Sequence, residues 1–316
     1  MLYPSHFILQ PSYFTLQPLS FNLYNVPRSE SPFERVAIVG LGLVGGSWGL
    51  ALRKAGFRGL RVGVDRPEVL ERALAAGAVD EGAVDFVAAV ANADLVILAT
   101  PVGAILDLLP LAAKHTPPRS LVTDVGSTKW LISERARELF SGERLFLGGH
   151  PLTGKERSGF EQADAALFHG ARYVLTPLAP DHMADARVGA FSRIVESLGA
   201  RPLSSDPARH DRAMAFLSHL PQLLSTGLAS LINERAGADF IPPEFAASGF
   251  RDATRLAESH YSVWHDICLT NTENIQEALD LIIAKLETVK RNLRGQELER
   301  EFESARELRR RLREIE

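Results

Sequence analysis

The chain has 316 residues, 46% of them hydrophobic and 23% charged, with a formal net charge of −4. These values suit a globular protein of about two domains, and leave no basic field for a nucleic acid ahead of the C-terminal tail. Cys268 is the single cysteine, which excludes disulfides within the chain and cysteine-based zinc sites and agrees with a reducing cytoplasm; no continuous apolar run reaches bilayer-spanning length.

Residues 1–33 repeat Phe-x-Leu-Gln-Pro at Phe7 and Phe14, with an echo at Phe21. Repeated prolines and the lack of a basic n-region make them a poor secretory signal. They read as a low-complexity leader outside the folded unit.

From Glu34 onward, short Val/Ile/Leu runs alternate with helical patterns. "RVAIVG", "RVGVD", "DLVILATP", "SLVTDVGS", "RLFLGGHP" and "ARYVLTP" read as strands. Most are continuously apolar, as in a parallel sheet covered on both faces. "GGSWGLALRKAG" and "PEVLERALAAG" have helical spacing and end in glycine. This predicts a doubly wound α/β domain of Rossmann type with a mostly parallel sheet over residues 34–180.

Residues 181–316 read as all-α. "MADARVGAFSRIVESLG" is amphipathic. A long helix begins at Asp206 as N-cap with Pro207 at N1, and Pro221 inside it predicts a kink. A loop, "ADFIPPEFAASGFRDATRLAES", precedes an apolar helix from about Ser262 to Asn292, and a highly charged helical tail follows. Both long helices are apolar around most of their circumference, which one core face does not need. This predicts a homodimer through the helical domain.

Within "VAIVGLGLVGGSWG", Gly40-x-Gly42-x-x-Gly45 follows a strand and opens a helix. Gly40 permits the tight turn, Gly42 lets the backbone approach a pyrophosphate, and Gly45 allows close helix–strand packing. Leu41, Leu43 and Val44 complete the loop, whose free N–H groups suit phosphates. Asp65, about 20 residues on at the end of the next strand, suits the adenosine ribose hydroxyls and repels a 2′-phosphate. The cofactor implied is NAD.

Ligands of such sheets bind at the carboxyl ends of the strands. There the sequence places Thr100 and Pro101, Ser127, and His150. Gly148–Gly149 are read as ending a strand, leaving His150 at its tip on a backbone loosened by glycine and fixed by Pro151. A dehydrogenase needs a base for the hydroxyl proton as hydride leaves the same carbon, a role that suits His150; a surface histidine is the bland alternative. Ser127 is placed to orient the imidazole or hold the hydroxyl. Arg251 and Arg255 beside Asp252 offer bidentate carboxylate recognition or a mere surface ion-pair cluster. No metal-ligand spacing is present, His260 and His265 included.

In order along the chain, "GLGLVGGSWGLAL", "DLVILATPV", "VTDVGSTK", "GGHPLTGKERSGFE", "FLSHLPQLLSTGLA" and "GFRDATRLAESHYSVWHDICLTN" resemble the prephenate dehydrogenase family, which includes arogenate and cyclohexadienyl dehydrogenases. The resemblance covers about residues 34–292. It implies NAD-dependent oxidative decarboxylation of prephenate to 4-hydroxyphenylpyruvate, on the route to tyrosine, by a cytoplasmic homodimer. Carried over, His150 takes the ring hydroxyl's proton and Ser127 supports that contact. Arg255 binds a substrate carboxylate, Glu156 and Asp252 form an ionic network with it, and Ser218, His219 and Trp264 line the pocket.

One departure concerns substrate. Many members carry Ser-His-x-Pro-His, where this chain has Ser218-His219-Leu220-Pro221-Gln222, so Gln222 bears on prephenate against arogenate. Neither a chorismate mutase segment before Glu34 nor a folded regulatory domain after Asn292 is expected. A β-hydroxyacid dehydrogenase is the competing enzyme class, but its helical-domain lysine has no counterpart in 206–260. A non-catalytic NAD-binding protein is the other alternative.

Overall fold

The computed structural model describes residues 32–155, 157–238 and 243–314. The leader therefore lies outside the described residues, except at its end. Phe33, assigned to it above, is 2% exposed and belongs to the core.

Two compact units divide the chain. The first runs to His210 and takes back Ser259–Ile267; the second holds Asp211–Glu258 and the chain from Cys268 on. In the first, strands β1 (Arg35–Val39), β2 (Leu60–Val64), β3 (Glu81–Ala83), β4 (Leu95–Leu98), β5 (Leu121–Asp124), β6 (Leu145–Pro151), β7 (Arg172–Pro177) and β8 (Arg201–Ser204) form one sheet. Helices α1 (Leu43–Lys54), α2 (Pro67–Ala75), α3 (Phe86–Val90), α4 (Val102–His115), α5 (Trp130–Leu139) and α6 (Ala186–Ser197) connect them. The strand order is β3-β2-β1-β4-β5-β6-β7-β8, parallel except for the β6–β7 pair. The order reverses between β1 and β4, which opens a crevice at their carboxyl ends.

Residues 181–204 correct the expected boundary at 180. An apolar helix after a strand reads equally as the start of a helical domain or as one more crossover. Here α6 is a crossover, because β8 pairs in parallel with β7. Apolar side chains cover both faces of the sheet, as continuous strand hydrophobicity requires. One face holds an aromatic nest in which the Trp48 ring centroid lies 5.4 Å from Phe168 and 5.8 Å from Phe191. The other packs Ile105, Ile132, Phe140 and Phe146 against the sheet.

The division between units falls inside two helices. α7 (Pro207–Met214) starts as predicted, with Asp206 Oδ1 accepting from the N–H groups of Ala208 at 2.9 Å and Arg209 at 3.1 Å. A π-helical turn, Ala215–His219, follows, and then α8 (Leu220–Ala238). The wider turn lies just ahead of Pro221 and accommodates its missing N–H and its ring. The stretch expected to be a loop contains α9 (Ser248–Thr254) and two 3₁₀ turns.

The last apolar helix breaks at Asn271 into α10 (Tyr261–Thr270) and α11 (Thr272–Arg291), with α12 (Glu297–Arg313) as the charged tail. Asn271 is buried, its amide donating to the Asp211 carbonyl at 2.8 Å. By length and composition, Pro207–Arg235 is long and apolar enough to cross a membrane. Scanning for continuous apolar runs missed it, because Ser218, His219 and Gln222 interrupt the run.

Candidate active site

The loop between β1 and α1 has the stereochemistry its glycines predict. Gly40 has φ +87°, where side chains strain the backbone. A Cβ on Gly45 would stand 1.8 Å from the Gly40 carbonyl oxygen, so only glycine lets α1 sit this close to β1. A Cβ on Gly42 would meet nothing within 4 Å. That opening lies at the N-cap of α1, whose first turn has no side-chain cap, an arrangement that suits a phosphate.

Across the crevice, Thr100 follows β4 and Pro101 is the N-cap of α4. The Thr100 Oγ1 is buried without a hydrogen-bond partner, which a bound ligand can repair. Asp65, just past β2, accepts two backbone hydrogen bonds. Its Oδ2 accepts the Leu41 N–H at 2.7 Å, which ties β2 to the glycine loop, and its Oδ1 accepts the Arg66 N–H at 2.7 Å. The Arg66 side chain is exposed and lies 3.4 Å from Glu68. An open cradle, a helix N-terminus, a carboxylate at the end of β2 and an orphaned hydroxyl fit a dinucleotide without a 2′-phosphate.

Gly148 and Gly149 do not loosen the backbone, contrary to the expectation above. They lie within β6, which runs on to Pro151, with His150 opposite Val174 of β7. Their reason is close packing. A Cβ on Gly149 would come within 2.6 Å of the Asp124 carbonyl, and one on Gly148 within 2.1 Å of Thr176 Oγ1. His150 is therefore held by a paired strand.

Asp124 supplies a second anchor that sequence reading passed over. Its Oδ1 accepts the Gly149 N–H at 3.1 Å, and its Oδ2 accepts the Gly126 N–H at 2.8 Å. The Lys129 ammonium pairs with the same carboxylate, and neither side chain is exposed. One buried ion pair thus fixes the turn before Ser127 and the residue before His150. Ser127 itself is half-buried.

The neighbour the structure brings to His150 is His210 of α7, which the sequence reading did not single out. His150 Nδ1 lies 2.9 Å from His210 Nε2, with the rings 73° apart. A signal was present, since Pro207, His210, Asp211 and Met214 follow helical spacing and are all buried. Asp266 was missed too. Its Oδ2 accepts the Gly103 N–H at 2.8 Å in the first turn of α4. Hydrogen bonds from His265 and from Gly103 hold the Asp266 carboxyl below the usual carboxylate range. Beyond β6, Phe160 and Ala163 stand within 3.0 Å of where a Gly46 Cβ would be, so residues around 160 lie against α1.

Trp264 belongs with this first unit and is half-buried. Ser218, His219, Gln222, Asp252 and Arg255 belong to the second. There His219 is 1% exposed, its Nδ1 3.2 Å from the Asn271 amide nitrogen. Gln222 Nε2 donates to the Leu256 carbonyl at 2.8 Å and to Thr226 Oγ1 at 3.1 Å. Ser218, Asp252 and Arg255 are exposed, Arg255 opening a 3₁₀ turn. Glu156 lies outside the described residues.

A dinucleotide crevice with an anchored histidine at a neighbouring strand end, followed by a helical unit, defines a two-domain oxidoreductase. The chain matches the family model described as prephenate dehydrogenase, nucleotide-binding domain, over residues 48–203, and that described as prephenate dehydrogenase, dimerization domain, over 206–313. It is 34% identical to a prephenate dehydrogenase of Lactococcus lactis over 87% of this chain and 77% of that one. Among solved structures, a prephenate dehydrogenase from A. aeolicus in complex with hydroxyphenyl propionate and NAD+ superposes with a TM-score of 0.80 at 29% identity, covering 90% of this chain and 98% of that one. An arogenate dehydrogenase from Synechocystis gives 0.72 at 31%, covering 88% and 99%. The chain belongs to the prephenate dehydrogenase family of NAD-dependent oxidoreductases.

Proposed function

We propose that the protein oxidatively decarboxylates prephenate to 4-hydroxyphenylpyruvate, with His150 as the base. The observation that carries this reading is His150 itself, fixed on a paired strand with Nδ1 engaged by His210. NAD, when bound, accepts the hydride from the hydroxyl-bearing ring carbon. Gly40, Leu41, Gly42, Leu43, Val44 and Gly45 would hold its pyrophosphate and Asp65 its ribose, with Thr100 and Pro101 bordering the crevice. His150 takes the hydroxyl proton as that carbon becomes a carbonyl. The ring carboxylate leaves as carbon dioxide, its bonding electrons make the ring aromatic, and His150 returns the proton to the new phenol oxygen. Ser127 supports the hydroxyl contact, Arg255 receives a carboxylate through its guanidinium fork, and Glu156 and Asp252 are its acidic partners. Ser218, His219, Gln222 and Trp264 line the substrate side.

Gln222 favours a second reading, turnover of arogenate. Both amide hydrogens are used within the protein, so what remains is an acceptor oxygen, which tolerates an ammonium group. The test is steady-state NADH formation with prephenate and arogenate, each also run with NADP. Prephenate with NAD should give the highest kcat/KM. A higher value with arogenate changes the substrate but keeps the reaction class, and no turnover of either overturns the reading.

The working form is a cytoplasmic homodimer joined through the helical unit. Its support is the dimerization-domain match and a groove of about 480 Å³ lined by Phe216, Leu220, Ala278, Leu281 and Ile282. Nearby Leu217, Leu228, Leu231, Ile283 and Leu286 are exposed in the single chain. Recovery of the protein in the membrane fraction would defeat the cytoplasmic assignment.

A further inference from the structure

We propose that His210 is a positioning residue that sets the tautomer of His150. The inference rests on the reading of His150 as the base and adds how its reactive nitrogen is selected.

The 2.9 Å separation of His150 Nδ1 from His210 Nε2 holds one proton between two nitrogens. Two neutral arrangements satisfy it. In one, His210 donates from Nε2, and the single proton of His150 then sits on its own Nε2, leaving no lone pair for a substrate hydroxyl. In the other, His150 donates from Nδ1 to His210 Nε2, and His150 Nε2 keeps its lone pair. Only the second arrangement makes His150 a base. His210 must then be neutral with its own proton on Nδ1, because a doubly protonated His210 has no acceptor to offer.

His210 thus does for His150 what a buried carboxylate does in a catalytic triad: it fixes the tautomer and the ring orientation. The surroundings hold it to that task. The His210 side chain is 3% exposed, and it sits in the first turn of α7, whose Asp206 cap and His210 N–H to Asp206 carbonyl bond at 2.9 Å fix the helix start. The partner ring is equally constrained, since His150 lies within the β6–β7 pair beside the Asp124-anchored Gly149. Neither imidazole reaches this contact from a loop.

Nitrogen-15 spectra of the imidazoles report the tautomer directly. Wild-type enzyme with NAD should show His150 protonated on Nδ1; protonation on Nε2 overturns the proposal, whatever the variants do. His210→Ala should lower kcat by about 10²-fold, the low end of a proton-transfer contribution, with KM for NAD unchanged. His210→Gln, which can present a carbonyl oxygen to the Nδ1 proton, should recover most of that loss. Full activity in His210→Ala, or His210→Gln no better than His210→Ala, overturns the proposal. If both variants fail to fold, the wild-type spectrum decides alone. His150→Asn separates the two levels. Near-normal turnover there overturns the reading of His150 as base, whereas an inactive His150→Asn beside a fully active His210→Ala overturns only the role of His210.

Discussion

The two units bury their apolar residues very differently. In the sheet unit Val36, Ile38, Leu95, Ile97 and Leu98 have no exposure, and the buried acidic and basic side chains among the described residues are paired, Asp124 with Lys129 and Arg61 with Asp80. In the helical unit the buried apolar residues among those described are Met214, Ala215, Ile275 and Ala278, while Leu217 is 76% and Leu281 54% exposed. The sheet unit completes its own core and spends that rigidity on holding His150. The helical unit leaves its apolar face exposed in the single chain, the face proposed above to meet a second copy. Function in the first should break through single contacts, and in the second through association and substrate choice.

The sharpest break is His150→Asn. It should lower kcat by about 10²–10⁴-fold, the usual worth of a general base, while NAD binding measured by fluorescence titration stays intact. Near-normal turnover would remove His150 from the chemistry and, with it, the claim that the sheet unit is built around it.

Next comes the ion pair. Lys129→Met leaves the Asp124 carboxylate buried without its ammonium and should destabilise the protein by about 3–5 kcal/mol, a fall in Tm of about 10 °C or more. Lys285→Met is the contrast. Its pair with Glu301 on the helical unit is 52% and 36% exposed, and its loss should cost less than about 1 kcal/mol. Equal melting temperatures in the two variants would erase the distinction between the units.

Much of the sheet unit was legible in the sequence because its strands are continuously apolar and its loop glycines have geometric jobs. β3 and β8 were not, since Glu81–Ala83 and Arg201–Ser204 are short and half-exposed and carry no apolar run. Missing β8 moved the domain boundary. The glycine loop could be read because a tight turn and close helix–strand packing need glycines at that spacing. His210 and Asp266 could not be read in the same way. They make contacts between segments far apart in sequence, such as His150 and His210, 60 positions apart. Gln222 was noticed only against a family pattern, and its hydrogen bonds emerged from the fold.

The helical unit is challenged through association. Leu281→Asp changes a residue already exposed in the single chain, so folding should survive, but a dimer interface would have to bury the new charge. Burial of an unpaired polar or charged group costs several kcal/mol, enough to give a monomer at micromolar concentration by light scattering. A monomeric wild type would show that the apolar face serves something else.

Cofactor choice is a smaller effect within the sheet unit. Asp65 would repel a 2′-phosphate, and Arg66 lies 3.4 Å from Glu68 and 3.9 Å from Asp65, so NAD should be preferred. Asp65→Ser keeps an acceptor for the Leu41 N–H and should shift the NADP to NAD ratio of kcat/KM upward by about 10-fold, one charge contact of about 1.4 kcal/mol. A wild type that prefers NADP would assign the choice to Arg66.

An effect of similar size is expected at Gln222. It is 4% exposed, and its amide nitrogen binds the carbonyl of Leu256, the residue after Arg255. Prephenate ends in a pyruvyl group, whereas arogenate carries an ammonium. An amide oxygen accepts a hydrogen bond from that ammonium, while a histidine in its place repels it when protonated. Gln222→His should therefore widen the prephenate-to-arogenate ratio of kcat/KM by about 10-fold, again about 1.4 kcal/mol. The hydrogen bond to Leu256 adds a control. If the substitution merely disturbs the turn that carries Arg255, KM should rise for both substrates and leave their ratio unchanged. A changed ratio with prephenate KM held constant locates the reading of the side chain at position 222, and an unchanged ratio removes Gln222 from substrate discrimination.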